Sequence, residues 1–271
     1  MQKTCSARGP VRSSPAPRLS FLTTLRLLSG ASFASLVALA AVILCASPAR
    51  VHAAPPPAAP ADVALAVVYD TSGSMRAPIK AADGRLVPKN IIAQRAFGLV
   101  IDRLERFTRP SAAAFVTDST PPVKRLDFSI TVFDGSRAVT AVRMAPLDPA
   151  ATRKWLAALP APDSGTPLGD AMTLAAKSLL ATTAASKHLL VLTDGENTLG
   201  STPLAALTAL QKQTQTQNQT IFVHILALDI PPAVFASLQK AGATLIGAAD
   251  EKQLQSQLDF ILENQILVEA P

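Results

Sequence analysis

The chain has 271 residues, 49% of them hydrophobic, and a formal net charge of +6. The first 53 residues carry all of the excess positive charge, because they contain six Lys and Arg and no acidic residue, whereas residues 54–271 contain 19 basic and 19 acidic residues. Because residues 54–271 carry no net charge, they give no electrostatic basis for binding nucleic acid, and we predict no such partner. Both cysteines, Cys5 and Cys45, belong to the same N-terminal part, so the rest has no disulfide framework, thiolate metal site or cysteine nucleophile.

The N-terminal 53 residues have the pattern of a secretory signal. Basic residues precede the apolar stretch 31–44, and Val51-His-Ala53 provides a small-x-small exit before Ala54. We therefore predict a signal peptide over 1–53 and a periplasmic or secreted protein, in a bacterial envelope by its Ala-, Pro- and Arg-rich composition. A retained N-terminal membrane anchor, with membrane contact through the leader, is the alternative, although the apolar stretch is short for a transmembrane helix. Residues 54–61 form a Pro/Ala-rich tether.

The remaining segments alternate between strand and helix patterns. The predicted strands are apolar and mostly continuous, as in strands covered on both faces, and they occupy 63–69, 127–133, 187–193, 220–228 and 243–247. Helical periodicity marks 92–107 and 254–265. This alternation predicts one α/β domain over 62–265, followed by a tail at 266–271. The domain is a doubly wound, mostly parallel sheet with helices on both faces.

Turn and cap signals complete the predicted architecture. Asp148 and Thr166 each precede a proline, which predicts an N-cap followed by proline at the first helical position. The segment 137–144 predicts an antiparallel edge strand that closes a hairpin. Proline and glycine in 76–89 and prolines in 109–124 predict two exposed loops, of which the first lies near the candidate site described next.

Oxygen-bearing side chains follow the first predicted strand on alternate residues. Asp70-Thr-Ser-Gly-Ser74 places one carboxylate and two hydroxyls where the strand runs into a loop. Two later segments, Ser164-Gly-Thr-Pro-Leu-Gly-Asp-Ala171 and Leu189-Leu-Val-Leu-Thr-Asp-Gly-Glu196, add Thr166 and Asp194 at similar termini. Hard oxygen ligands of this kind suit Mg²⁺ or Mn²⁺, and the carboxyl edge of a parallel sheet is where such folds bind ligands.

These residues resemble the metal-ion-dependent adhesion site (MIDAS) of the von Willebrand factor A (VWA) family. That site is Asp-x-Ser-x-Ser with a distant Thr and a distant Asp, here the complete set Asp70, Ser72, Ser74, Thr166 and Asp194. The resemblance extends over about 62–265. It implies a Rossmann-like fold, a divalent cation held partly through water by the two aspartates, and a protein partner whose carboxylate completes the metal shell.

Other interpretations of these residues stay open from the sequence. Ser72 and Ser74 can satisfy turn backbone, Thr166 can be only an N-cap, and Asp194 can be an ordinary turn residue. The pattern of His188 and His224 within predicted strands favours structural roles, and we predict no enzymatic activity. The alternatives are a metal-dependent phosphatase-like or nucleotide-binding α/β enzyme and a structural envelope protein with a vestigial metal site.

Overall fold

A computed structural model describes residues 61–109 and 124–268. The strands are β1 (Val63–Tyr69), β2 (Pro78–Lys80), β3 (Leu86–Pro88), β4 (Leu126–Asp134), β5 (Arg137–Pro146), β6 (Ser186–Thr193), β7 (Phe222–Leu228) and β8 (Thr244–Ala248). The helices are α1 (Lys89–Thr108), α2 (Pro149–Ala157), α3 (Leu168–Leu180), α4 (Pro203–Gln217), α5 (Ala236–Lys240) and α6 (Glu251–Ile261), which continues as a π-helical turn over Leu262–Ile266.

Six strands form the central sheet in the order β5-β4-β1-β6-β7-β8. Every neighbouring pair is parallel except β4 and β5, which are antiparallel. The predicted α/β fold with one antiparallel edge strand is therefore confirmed. The predicted signal peptide, nearly all of the tether, the interior of the loop 109–124 and the last three residues lie outside the described residues. Within the described ranges, none of the helices is both long and apolar enough to span a membrane.

Strand β1 lies in the middle of the sheet, and both of its faces are covered. Leu65, Val67 and Tyr69 pack in a core with α1 and α6, whereas alternate residues such as Ala66 and Val68 pack in a second core with α3 and α4. Successive side chains of a strand point to opposite faces, so a continuous apolar run serves two cores at once. This double burial fixes the register of β1 in the sheet.

Helix α1 covers the predicted segment 92–107 and extends beyond both of its ends. Helical periodicity through Ile92, Ala96 and Leu99 predicts one buried face. Ile92 and Ala96 are buried, whereas Leu99 is 47% exposed and Phe97 and Val100 are buried instead. The helix packs against both the sheet and α6, so its buried face is wider than a single stripe.

The segment 76–89 differs from the irregular loop predicted for it. It begins with the end of a short 3₁₀ helix, Gly73–Arg76, and continues as the antiparallel hairpin β2–β3. Gly84 provides the positive φ of 88° that the turn needs, and the Ala82 amide donates to the Glu251 carboxylate (2.8 Å) at the start of α6. The prolines at 78 and 88 stand at the ends of strands, where a missing N–H is tolerated.

The two predicted N-caps have different outcomes. Asp148 caps α2, because its side chain accepts a hydrogen bond from the Ala151 amide. The cap assigned to Thr166 is wrong, because α3 begins at Leu168 and follows Pro167 without a side-chain cap. Asn197 Oδ1 accepts from the Gly169 amide instead (3.1 Å), so a residue of a distant loop satisfies the helix terminus.

The two histidines of the described part of the chain lie together in the sheet, at the amino-terminal ends of β6 and β7. His188 Nδ1 and His224 Nε2 are 3.1 Å apart, and His188 Nε2 is 2.7 Å from Ser186 Oγ. Burial lowers the pKa of His188 to about 3, with His224 adding to the effect, and burial lowers that of His224 to about 4. Both imidazoles are therefore neutral in the folded protein near neutral pH.

We expect this buried pair to make the fold sensitive to acid. An unfolded histidine takes up a proton near pH 6.5, whereas the folded pair does so only near pH 3–4, so stability is full above pH 6.5 and falls as the pH drops through this window. Each histidine contributes up to about 1.4 kcal/mol per pH unit. Urea unfolding between pH 7.5 and 4.5 should show a shallower pH dependence for His188→Phe/His224→Leu than for the wild type. Equal slopes would contradict this assignment.

Candidate metal centre

The site lies at the carboxyl edge of the sheet, where β1 and β6 end side by side. Tyr69 is in register with Leu192, and the Asp70 amide donates to the Leu192 carbonyl (3.1 Å) one step beyond the ladder. Asp70 and Asp194 therefore leave neighbouring parallel strands at the same edge. Parallel pairing brings together carboxylates that are 124 positions apart in the chain.

A chain of short hydrogen bonds connects four of the five predicted residues. The Ser72 amide donates to Asp70 Oδ1 (2.7 Å), Ser72 Oγ lies 3.0 Å from Ser74 Oγ, and Ser74 Oγ donates to Asp194 Oδ1 (2.7 Å). The first turn of this loop is thus an Asx-type turn that aims the following hydroxyls at the second aspartate.

Thr166 approaches the same point from a different loop. A Cβ placed on Gly195 would lie 3.5 Å from Ser74 Oγ and 3.8 Å from Thr166 Oγ1, so both hydroxyls border the space left open at that glycine. The Thr166 loop is tied to the Asp70 loop by the Gly73 amide, which donates to the Ser164 carbonyl (2.9 Å). All five predicted residues therefore meet at one place.

The site is largely withdrawn from water. Asp70, Ser72, Thr166 and Asp194 are buried, and Ser74 is exposed. Burial raises the pKa of the Asp70 carboxyl, against hydrogen bonds from Ser72 and Thr193 that lower it, and the charge of Asp194 raises it further. Two carboxyls in a poorly solvated place favour a positive charge beside them.

Lys89 supplies one such charge, which no sequence motif indicates. Its ammonium donates to Asp194 Oδ2 (3.1 Å) and also forms an ion pair with Asp229 Oδ2 (3.0 Å). Burial alone would lower the pKa of Lys89, but the hydrogen bonds from Lys89 to Asp229 and Asp194 raise it above its usual value. No local signal links these residues, because they meet only through the fold.

Two hydroxyls that support the site were also missed. Thr193 Oγ1 donates to Asp70 Oδ2 (2.5 Å), and Ser164 Oγ accepts from the Gly135 amide (3.0 Å). Thr193 directly precedes Asp194 in the Leu-Thr-Asp-Gly segment, and this position indicates that its hydroxyl lies near the site. Glu196, two residues beyond Asp194, lines a small pocket with Leu204 and Val234.

The donor set fits a small hard cation. In an octahedron with metal–oxygen distances of about 2.1 Å, neighbouring oxygens lie about 3.0 Å apart, and Ser72 Oγ and Ser74 Oγ already have that separation of 3.0 Å. The described residues contain no cluster of three or more His, Cys, Asp or Glu that could hold a metal. A cation here would therefore depend on hydroxyls as much as on carboxylates.

Comparison with known proteins rests on structure alone. No protein-family model matches the sequence, and no curated protein matches it. Among solved structures, the VWA domain of SpRpn10 aligns with a TM-score of 0.51 and 10% identity, over 78% of this chain and 100% of that one. The chain has the fold of a VWA domain.

Two further structures with this fold are a pilin and a thread matrix protein. The PilB minor pilin of Streptococcus sanguinis aligns with a TM-score of 0.54 and 15% identity, over 76% of this chain and 62% of the pilin. Proximal thread matrix protein 1 of the mussel byssus, in a form with a zinc-occupied MIDAS motif, aligns with a TM-score of 0.52 and 13% identity. The alignment covers 75% of this chain and 48% of the matrix protein. This chain thus spans only part of either protein's length.

We expect the Thr193 hydroxyl to stabilise the buried Asp70 carboxylate. Thr193→Val keeps the shape of the side chain but leaves Asp70 Oδ2 without this donor, which should reduce the free energy of unfolding by about 1–3 kcal/mol. Thr193→Ser retains the hydroxyl and should lose less. Urea unfolding in EDTA measures both, and a valine variant as stable as the serine variant would contradict this role.

Proposed function

We propose that this protein is a periplasmic or secreted binding protein that holds a divalent cation at Asp70, Ser72, Ser74, Thr166 and Asp194. The observation that carries the proposal is the meeting of these five side chains at the carboxyl edge of a VWA-type sheet. Three neutral hydroxyls and two carboxylates suit Mg²⁺ or Mn²⁺ better than zinc, which favours nitrogen and sulfur ligands. A solved structure with the same fold and a zinc-occupied MIDAS supports a divalent ion.

The cation would link the protein to an acidic partner. The two carboxylates only balance the charge of a divalent ion, so a bound metal would stay electrophilic. An acidic side chain of a protein partner would complete its coordination shell. The exposed Ser74 places this position at the surface, whereas Asp70 and Asp194 hold it from below. Pilins and matrix proteins with the same fold are consistent with binding between proteins outside the cell.

A binding role is better supported than catalysis. A hydrolase that activates metal-bound water normally has a base such as histidine next to the ion. In the described part of the chain, the two histidines lie buried at the amino-terminal ends of β6 and β7, away from the edge that carries Asp70 and Asp194. We therefore propose a function without enzymatic turnover.

A structural protein with a metal-free site has one observation in its favour. The ammonium of Lys89 already lies 3.1 Å from Asp194 Oδ2 and offsets part of the negative charge. Measurement of metal uptake separates the two functions, because only the binding protein takes up a cation at this place.

We expect Asp70→Ala and Asp194→Ala to abolish Mg²⁺ binding and to leave a folded domain. Each substitution removes a charge that faces the proposed ion, whereas Lys89 keeps Asp229 as a partner in either variant. Isothermal titration of the full chain with Mg²⁺ and Mn²⁺ measures the loss, and circular dichroism checks the fold. Asp163→Ala, an exposed carboxylate in the adjoining loop, is the matched control and should bind like the wild type. Wild-type affinity in the Asp194 variant would overturn the site.

We expect Thr166→Ala to weaken partner binding more than metal binding. Its hydroxyl borders the site from a second loop, so it would join the shell mainly when a partner's carboxylate is engaged. Capture from envelope extract with Mg²⁺, with EDTA and with Asp194→Ala identifies a metal-dependent partner, which then serves to compare Thr166→Ala with the wild type. Partners indifferent to EDTA and to Asp194→Ala would place the binding surface elsewhere, and equal loss of metal and partner would contradict the separate role of Thr166.

A further inference from the structure

Lys89 is a buried cation built into the candidate metal centre. It is the first residue of α1, its side chain is 7% exposed, and its backbone amide donates to the Ala77 carbonyl (3.0 Å). A buried ammonium is stable only when it is paired, and this one has two carboxylate partners at nearly equal distance, Asp194 and Asp229. The fold therefore holds a positive charge against one of the proposed metal ligands.

This contact divides the two oxygens of Asp194 between different tasks. Oδ1 accepts from Ser74 Oγ on the hydroxyl side, whereas Oδ2 accepts from Lys89 Nζ. Asp70 is divided in the same way, with Oδ1 bound by the Ser72 amide and Oδ2 bound by Thr193. Neither carboxylate presents two free oxygens to a common point.

Divalent cations differ in how much they need such a pair of oxygens. Ca²⁺ takes about six to eight oxygens and often uses carboxylates in bidentate fashion, whereas Mg²⁺ takes six at shorter distances and keeps several waters. A site whose carboxylates each offer at most one oxygen serves an octahedral ion with waters and leaves Ca²⁺ short of ligands.

We propose that Lys89, held in place by Asp229, is a positioning residue that limits Asp194 to one oxygen and thereby makes the centre select Mg²⁺ or Mn²⁺ over Ca²⁺. The proposal rests on the proposed function, since it concerns the cation bound at that same site. Asp229 keeps the ammonium paired when a metal ion draws on Asp194. The cation and the lysine therefore share the aspartate without leaving a buried charge alone.

The test is a titration of the full chain with Mg²⁺, Mn²⁺ and Ca²⁺ by isothermal calorimetry. In Lys89→Met the second oxygen of Asp194 is released, so Ca²⁺ affinity should rise by about tenfold relative to Mg²⁺, which corresponds to about 1.4 kcal/mol. Lys187→Met is the matched control. This buried lysine lies in β6, and its ammonium donates to the Thr182 carbonyl (2.6 Å) and to Gln219 Oε1 (2.9 Å). Its substitution should leave the affinities for Mg²⁺ and Ca²⁺ unchanged.

A second variant keeps the proposal testable if Lys89→Met does not fold. Asp229 is half-exposed and has a φ of 56°, a conformation that asparagine adopts readily, so Asp229→Asn should fold. In this variant Asp194 is the remaining carboxylate partner of Lys89, so the ammonium competes more strongly with a cation for Asp194. The affinities for Mg²⁺ and Ca²⁺ should therefore both fall by several-fold. Circular dichroism and thermal melts verify the fold of each variant.

The outcomes distinguish this proposal from the function on which it rests. A wild-type chain that takes up none of the three ions overturns the proposed function and this inference with it. A wild type that binds Mg²⁺ at the expected aspartates, with an unchanged Ca²⁺ to Mg²⁺ ratio in Lys89→Met, overturns only the role of Lys89. Unchanged or tighter Mg²⁺ binding in Asp229→Asn also contradicts it.

Discussion

The parallel pairing of β1 with strands on both sides is the constraint on which the site depends. Both faces of β1 are buried in separate cores, so the strand can neither slide nor end elsewhere without exposing apolar side chains. Its in-register neighbour β6 ends at the same edge, which puts Asp70 and Asp194 side by side. The placement of the two aspartates is therefore a consequence of core packing, whereas the loops place the three hydroxyls.

The second requirement is electrostatic. Asp70 and Asp194 are both buried, and two carboxylates in such a place need donors or positive charge nearby. Hydroxyls of Ser74 and Thr193 supply donors, and the Lys89 ammonium supplies charge from the start of α1. Because each donor comes from a different segment, the site acts as a junction that ties β1, β6 and α1 together at one edge of the sheet. The same arrangement leaves the hydroxyls on the outer side of that junction, where a cation and a partner would meet.

The parts that the sequence predicted correctly are those set by strand patterns and by residues adjacent to strand ends. Continuous apolar runs located β1, β4, β6, β7 and β8, and Asp70 and Asp194 followed directly from two of them. The hairpin β2–β3 was not predicted, because its strands are three residues long and largely exposed. Such strands are too short to show an alternation of apolar and polar residues in the sequence. Thr166 lies beside Ser74 at this edge but does not cap α3, because Asn197 of another loop accepts from the Gly169 amide. The Lys89–Asp229 pair could not be found, because partners 140 positions apart leave no local trace.

The different side chains at the two ends of the sheet support the proposal of a binding protein over that of an enzyme. The imidazoles of His188 and His224 are held neutral and hydrogen-bonded at the amino-terminal ends of their strands, where they bond each other and Ser186. The opposite edge carries hydroxyls, carboxylates already occupied by donors, and an ammonium whose raised pKa keeps it charged. A group that is permanently protonated and paired with two carboxylates is a poor proton acceptor. This chemistry suits the proposed cation and its acidic ligand, because the described side chains at this edge offer little to move a proton during a reaction.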